Sequence, residues 1–120
     1  LFSIALFSRW LTAQGNGLAT VPERERLPNR RAHELVNLSH AGFRCIAGVG
    51  RFSDGRLAEI FLNVAKTGTD MDASARDSAI LASLLLQHGV ALQTIRHALL
   101  RNSDGSAAGP LGALLDMLGD

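Results

Sequence analysis

The run Lys66-Thr67-Gly68-Thr69-Asp70 is the first place in this chain where chemistry could sit. It closes an apolar stretch, Ala58-Glu59-Ile60-Phe61-Leu62-Asn63-Val64, and opens a long helical one that ends in Leu86-Gln87-His88-Gly89-Val90. Free backbone N–H groups at a helix start attract anions. Lys66 would add charge, Gly68 would let an anion approach closely, and Thr67 and Thr69 bring hydroxyls. The run is not a P-loop, because the first glycine, the Lys-Ser/Thr order and the spacing are missing. The plainer reading is a capped helix entered through a tight turn, with no ligand at all.

A second candidate is the basic set Arg24, Arg26, Arg30 and Arg31, joined by Arg44, Arg51 and Arg56. Such a set could face phosphates, but Glu23, Glu25 and Glu34 dilute it, and alternating signs favour a solvated stretch. The histidines, His33, His40, His88 and His97, form no H-x-x-x-H or H-E-x-x-H arrangement, so zinc has no support. His88, near a helix C-terminus, reads as compensating the helix dipole. His97 reads as partly exposed. No nucleophile or orienting acid accompanies any of them, so no catalytic residue is assigned. Cys45 falls on the inward face of a strand, where a free cysteine packs as a small hydrophobe. Asp77 falls toward the apolar side of its helix and is expected to pair with a strand arginine such as Arg44 or Arg51.

These residues must be positioned by a small set of elements. Leu35 to Ser39 reads as a first strand, followed by a turn at His40-Ala41-Gly42. Phe43 to Phe52 reads as a second, with Phe43, Cys45, Ala47 and Val49 alternating against Arg44, Ile46, Gly48 and Gly50. Gly48 and Gly50 suggest a bulge or close approach of another backbone; on an edge strand they would make dimerisation conceivable. Ser53-Asp54-Gly55-Arg56 predicts a two-residue hairpin loop with positive φ at both central positions. Leu57 to Val64 is the third strand.

The second half is helical. Thr69 predicts an N-cap, with Asp72 three residues on as in a capping box. Asp70 and Asp72 also suit the positive end of the dipole. Asp72, Arg76, Ser83 and Gln87 are expected to form a wet face. Met71, Ala75, Ala79, Ala82 and Leu86 are expected to form the apolar one, widened by Ile80, Leu81, Leu84 and Leu85. Gly89 ends this helix as a left-handed cap. A shorter helix is predicted over Leu92 to Arg101, with Leu92, Ile95 and Leu99 inward. A Gly/Ser-rich loop runs from Asn102 to Gly109. Pro110 then starts a last helix burying Leu111, Leu114, Leu115 and Leu118. The order predicts an α+β fold: a three-stranded antiparallel meander followed by three helices packed on one face of the sheet.

At 120 residues, 47% hydrophobic and 19% charged, the chain should hold one core. Residues 28–120 read as the domain and 1–27 as an N-terminal segment and linker. Residues 1–21 read as a fragment end or an over-long start, poorly ordered in solution. The apolar run from Leu1 to Phe7 is too short for a membrane span and lacks the leading basic stretch of a signal peptide. Twelve Lys+Arg against eleven Asp+Glu give a formal net charge of +1, which supplies no strong pull toward nucleic acid or membrane. A single cysteine excludes an intrachain disulfide, a dithiol pair and a multi-cysteine metal site. It is consistent with the cytoplasm.

Taken in order, several blocks resemble the TSCPD domain family over about residues 28–118. They are Asn29-Arg30-Arg31 with His33-Glu34, Asp54-Gly55-Arg56, Ala58-Glu59-Ile60-Phe61-Leu62 and Lys66-Thr67-Gly68-Thr69-Asp70. Ala75-Arg76-Asp77 with Ala79-Ile80, Leu86-Gln87-His88-Gly89-Val90, Ile95-Arg96-His97-Ala98-Leu99 and Gly109-Pro110-Leu111-Gly112 continue the series. This domain stands at the C-terminal end of many adenosylcobalamin-dependent (class II) ribonucleotide reductases of bacteria, and also as short stand-alone proteins. The Thr-Ser-Cys-Pro-Asp string that names it is absent here, as are the cysteine clusters of some members.

The resemblance implies an accessory module in deoxyribonucleotide synthesis for DNA replication. Such a module docks on a reductase catalytic chain or binds a nucleotide or other anion. Lys66, Thr67, Gly68 and Thr69 would hold that anion, with Arg30 and Arg31 nearby. Adenosylcobalamin would belong to the parent reductase, and no cofactor is expected in this chain. The alternatives are a part of a split ribonucleoside-diphosphate reductase and a weak nucleic-acid-binding module. A homo-oligomer is compatible with each of them, and no membrane partner is expected.

Overall fold

In a computed structural model, residues 22–65 and 68–119 are described. The segment 1–21 and the residues Lys66 and Thr67 lie outside that description, so the expected disorder of 1–21 is not addressed by it. The described elements run β1 (Glu34–His40), β2 (Phe43–Arg51), β3 (Leu57–Val64), α1 (Asp70–Gln87), α2 (Leu92–Ala98) and α3 (Pro110–Leu118). The α+β order expected from the sequence is the one found.

The strands form one antiparallel sheet in the order β1-β2-β3. Ala41 and Gly42 both take positive φ, 50° and 80°, which makes the first hairpin loop a tight two-residue turn matched to strand twist. The second loop corrects the expectation for Asp54-Gly55. Only Gly55 has positive φ (92°). Gly55 N–H donates to Phe52 O at 2.9 Å, and Phe52 N–H donates to Arg56 O at 2.8 Å. This is a three-residue loop with a left-handed third residue. Asp54 is held out of the left-handed region because its carboxylate accepts from the backbone and side chain of Arg56. The glycines of β2 lie on the central strand, not an edge, so they offer no route to dimerisation.

One face of the sheet carries Leu38, Cys45, Ala47, Val49, Ile60, Leu62 and Val64, all buried. Against it pack Ala75, Ala79, Ala82 and Leu86 of α1, Ile95 of α2, and Leu111, Leu114 and Leu115 of α3. Alanines on α1 let the helix come close to β3. Thr69 caps α1, accepting from Asp72 N at 3.2 Å. At the other end Gly89 sits at φ 91°. Val90 N–H donates to Leu85 O, and Gly89 N–H donates to Leu86 O, the paired bonds of a Schellman ending.

The faces expected for α1 are partly reversed. Asp72, Ser83 and Gln87 are buried, at 2%, 8% and 4% exposure. Met71, Ile80 and Leu81, expected inside, are exposed. The cause lies in β3. Strand β3 is an edge strand, and its outward backbone groups at Ala58, Ile60 and Val64 need partners. Val64 N–H donates to Asp72 Oδ1 at 3.0 Å. Ile60 N–H donates to Ser83 Oγ at 2.8 Å, and that hydroxyl lies 3.1 Å from Ile60 O. Gln87 Nε2 donates to Ala58 O at 3.0 Å. A row of helix side chains thus stands where a fourth strand would be. Arg76 is exposed as expected and forms a 3.8 Å ion pair with Asp72.

Two further boundaries differ. Helix α2 stops at Ala98 rather than Arg101, because Leu99 turns extended and Arg101 pairs with Ala107 in a short bridge. Arg101 also reaches Asp116 at 2.6 Å through both terminal nitrogens, while Arg96 Nε donates to the same carboxylate at 2.9 Å. Arg101 first, and Arg96 after it, hold the Asp116 carboxyl down at about 2. The charged lead-in, expected as a solvated linker, is bonded to the body. Pro22 O accepts from His88 Nδ1 at 2.6 Å, Gln87 O from Glu25 N–H at 2.7 Å, and Gln87 Oε1 from Arg24 Nε at 2.6 Å. His88 is therefore the C-cap residue of α1 and an anchor for this segment, beyond the dipole role expected of it.

Candidate functional site

The turn before α1 is described only from Gly68 onward. Gly68 has φ 78°, a conformation other residues rarely adopt, and Thr69 follows as the cap. Two acids crowd this helix end, Asp70 and Asp72, and Asp72 is already committed to Val64 N–H. The positive end of the helix dipole is therefore partly compensated from within. Arg31 is not brought to this turn. It sits at the far end of β3 on Glu59, about 20 Å away at the rise of an extended strand. Arg30 is exposed.

The polar cluster that the fold does assemble is centred on Glu59, on the sheet face away from the helices. Arg31 Nε donates to Oε2 at 2.7 Å, and Nη2 donates to Oε1 at 2.6 Å. Arg31 Nη1 is tied to Pro28 O at 2.7 Å. His33 Nε2 lies 2.9 Å from Glu59 Oε2, and its ring meets Phe61 edge-on at 5.3 Å between centroids. Glu59 is 8% exposed. The Arg31 guanidinium, and then the His33 contact, hold its carboxyl below the usual range against the cost of burial. Gly50 makes room: a β-carbon there would stand 3.1 Å from the Glu59 carboxylate and 3.3 Å from the His33 ring. Arg31 and His33 lie 28 and 26 residues from Glu59 in sequence, so spacing gave no sign of the cluster. The available signal was a lone acid inside an apolar strand.

With its acid satisfied bidentately, this cluster is a clasp. It fastens the chain entering β1 across β2 to β3. Beside it the open face exposes Leu35, Ile46 and Phe61, with Phe61 lying over Gly48. Arg44, also exposed, has no acidic partner among the described residues. The rest of the basic set is dispersed. Arg51 pairs with Glu34, and Arg56 pairs with Asp54 and Glu25 while its guanidinium lies 4.5 Å over the Phe52 ring. Asp77 is exposed and reaches neither Arg44 nor Arg51, so the expected pairing is absent. Two residues from both Ala75 and Ala79, it falls on the side of α1 opposite their core line.

Cys45 is 1% exposed, and burial pushes its thiol up, as suits packing rather than reactivity. His40 Nε2 donates to Ala108 O at 3.1 Å, and His97 is exposed. Among the described residues no group of His, Cys, Asp and Glu could hold a metal ion. No described helix is long and apolar enough to cross a membrane. A groove of about 370 Å³ between α1 and the approach to α3 is lined by Met71, Ser78, Leu99, Leu100 and Pro110, without a titratable side chain. Ser106 Oγ donates to Asp104 Oδ1 in an exposed loop, and no histidine joins that pair among the described residues.

The chain is similar to part of vitamin B12-dependent ribonucleotide reductase. It is 41% identical over 71 residues to the enzyme of Agrobacterium fabrum, a match covering 59% of this chain and 6% of that protein. It is 35% identical over 77 residues to that of Rhodopirellula baltica, covering 62% and 7%. It is 37% identical over 70 residues to that of Bradyrhizobium diazoefficiens, covering 58% and 6%. The chain thus spans only 6–7% of the length of these curated relatives. No protein-family model and no solved structure matches it.

Proposed function

We propose that this chain is an accessory module of the TSCPD type that docks on the catalytic chain of a B12-dependent ribonucleotide reductase. The observation that carries the reading is the similarity to a small part of such reductases, in which the matching stretch is joined to the remainder in one polypeptide. The matching stretch is a small share of those proteins, and the contribution we assign to it is contact. The surface best suited to it is the open sheet face. Ile46 and Phe61 project there from a sheet fixed by the Glu59 clasp, and apolar groups on a rigid support lose little entropy on binding.

The test is a pull-down of the reductase catalytic chain by the full protein. Binding that falls at least tenfold in Ile46→Ser/Phe61→Ala, with circular dichroism unchanged, supports the assignment. Loss only in Ile80→Ser/Leu81→Ser, on the exposed side of α1, moves the interface to the helix and overturns the sheet-face assignment. No complex at all overturns the docking role.

A second reading is an anion, such as a nucleoside phosphate, at the turn before α1. The left-handed backbone of Gly68 favours it, and Asp70 and Asp72 weigh against it. Calorimetry with a nucleoside diphosphate, wild type against Lys66→Ala, decides. Heat that is absent in both ends this reading.

A further inference from the structure

We infer that the free edge of β1 pairs antiparallel with the β1 of a second copy, joining two three-stranded sheets into one of six strands. Strand β1 carries backbone groups that no described residue uses. Arg44 O accepts from Ala65 N–H at 2.9 Å, so the even-numbered residues of β2 turn their N–H and C=O toward β3. Direction alternates along a central strand. Phe43, Cys45, Ala47 and Val49 therefore bond to their β1 partners His40, Leu38, Val36 and Glu34. That leaves the N–H and C=O of Leu35, Asn37 and Ser39 pointing away from the sheet. No described backbone group outside the sheet bonds to them.

Among the described residues this edge lacks the usual protections. Strand β1 contains no proline and no lysine, its register with β2 is unbroken, and the single irregularity lies at Gly50/Arg51 against β3. Such an edge is a template for another strand.

The residues of β1 say which strand fits. An antiparallel pairing centred on Asn37 sets Asn37 against the second copy's Asn37, and Leu35 against the second copy's Ser39. These are the residues with unused backbone groups, so each finds a partner and none is left over. The same register sets Val36 opposite Leu38 on the helix side, where both extend the core. It also sets Glu34 opposite His40, bringing an acid to an imidazole at each end. A shift of two residues in either direction would leave part of this ladder unpaired. The edge is thus complementary to itself under a two-fold axis, as an isologous dimer requires.

The full chain is examined by sedimentation with serial cysteine variants. The native Cys45 is buried and does not interfere. Directly opposed residues in a hydrogen-bonded pair have Cα atoms about 5.5 Å apart, within disulfide reach. Asn37→Cys is expected to form a disulfide-linked dimer on mild oxidation. Leu35→Cys and Ser39→Cys each stay unlinked alone and cross-link when mixed. Asn37→Pro, which removes an N–H that the monomer does not use, is expected to lose the dimer while keeping native circular dichroism. A wild-type chain that sediments as a monomer up to about 1 mM, a concentration that would populate any dimer tighter than about −4 kcal/mol, overturns the inference. So does a dimer that survives Asn37→Pro, or a Leu35→Cys chain that cross-links to itself. Capture of a strand from another protein at this edge would leave the chain monomeric and count against the inference equally.

Discussion

The two edges of this sheet meet the same requirement in opposite ways. At β3, the backbone groups of Ala58, Ile60 and Val64 are taken up by Gln87, Ser83 and Asp72 from α1. At β1, the corresponding groups of Leu35, Asn37 and Ser39 meet nothing in the described chain, and Leu35 is 77% exposed. A sheet edge is closed either by a covering element or by another strand. Among the described residues, covering is used on one side only. The difference teaches that α1 is more than a roof over the core: its polar side chains stand in for a missing strand, and this is why they are buried.

The contrast can be broken most forcefully at β3. Ser83→Ala nearly keeps the volume but orphans Ile60 N–H, and the cost is expected at about 2–3 kcal/mol in chemical denaturation. A loss under about 0.5 kcal/mol would show that the edge is not held by this hydroxyl. Asp72→Ala removes the acceptor of Val64 N–H at a site 2% exposed, and about 2 kcal/mol is expected.

The clasp offers a smaller and pH-dependent test. Glu59 has a carboxyl held below its ordinary value by Arg31. The folded state therefore favours the ionised form, and the clasp stabilises fully above the ordinary carboxylate range. Its contribution is lost as pH falls through the lowered value. Amide protection in β1, corrected for the intrinsic pH dependence of exchange, should fall on acidification before that at Ile60 in β3, whose cover by Ser83 does not titrate. Glu59→Gln should lower stability at neutral pH by about 1 kcal/mol and abolish the difference between the strands. Smallest of all is Asn37→Pro, with a change in monomer stability within about 0.5 kcal/mol, because no described residue pairs with the N–H it deletes. The same substitution at Ile60 should prevent folding.

Much of this architecture was readable from residue order. Alternation in Phe43 to Val49 placed β2 and its inward face, Gly89 marked the end of α1, and Pro110 the start of α3. What failed was the assignment of polar helix residues to water. Asp72, Ser83 and Gln87 lie in phase with Ala79, Ala82 and Leu86. The helical period groups them with the core, whereas their polarity suggests solvent. Polarity misleads here because the neighbour is a strand edge, which presents backbone donors and acceptors as water does. The exposed Ile80 and Leu81 were misread for the complementary reason, since apolar character carries no information about which apolar residues the core has room for. Of the candidate site, Gly68 and Thr69 could be placed from sequence as turn and cap. The Glu59 clasp could not, because its members meet only once β1 to β3 have folded.

Cys45 has one last implication. It is the only thiol in the chain, it sits on the central strand, and it is 1% exposed. A thiol-reactive dye can reach it only when the sheet and its covering helices open. The rate at which the unaltered protein takes up such a label is therefore a clock for its own opening, and slower labelling at higher protein concentration would report self-association without any mutation.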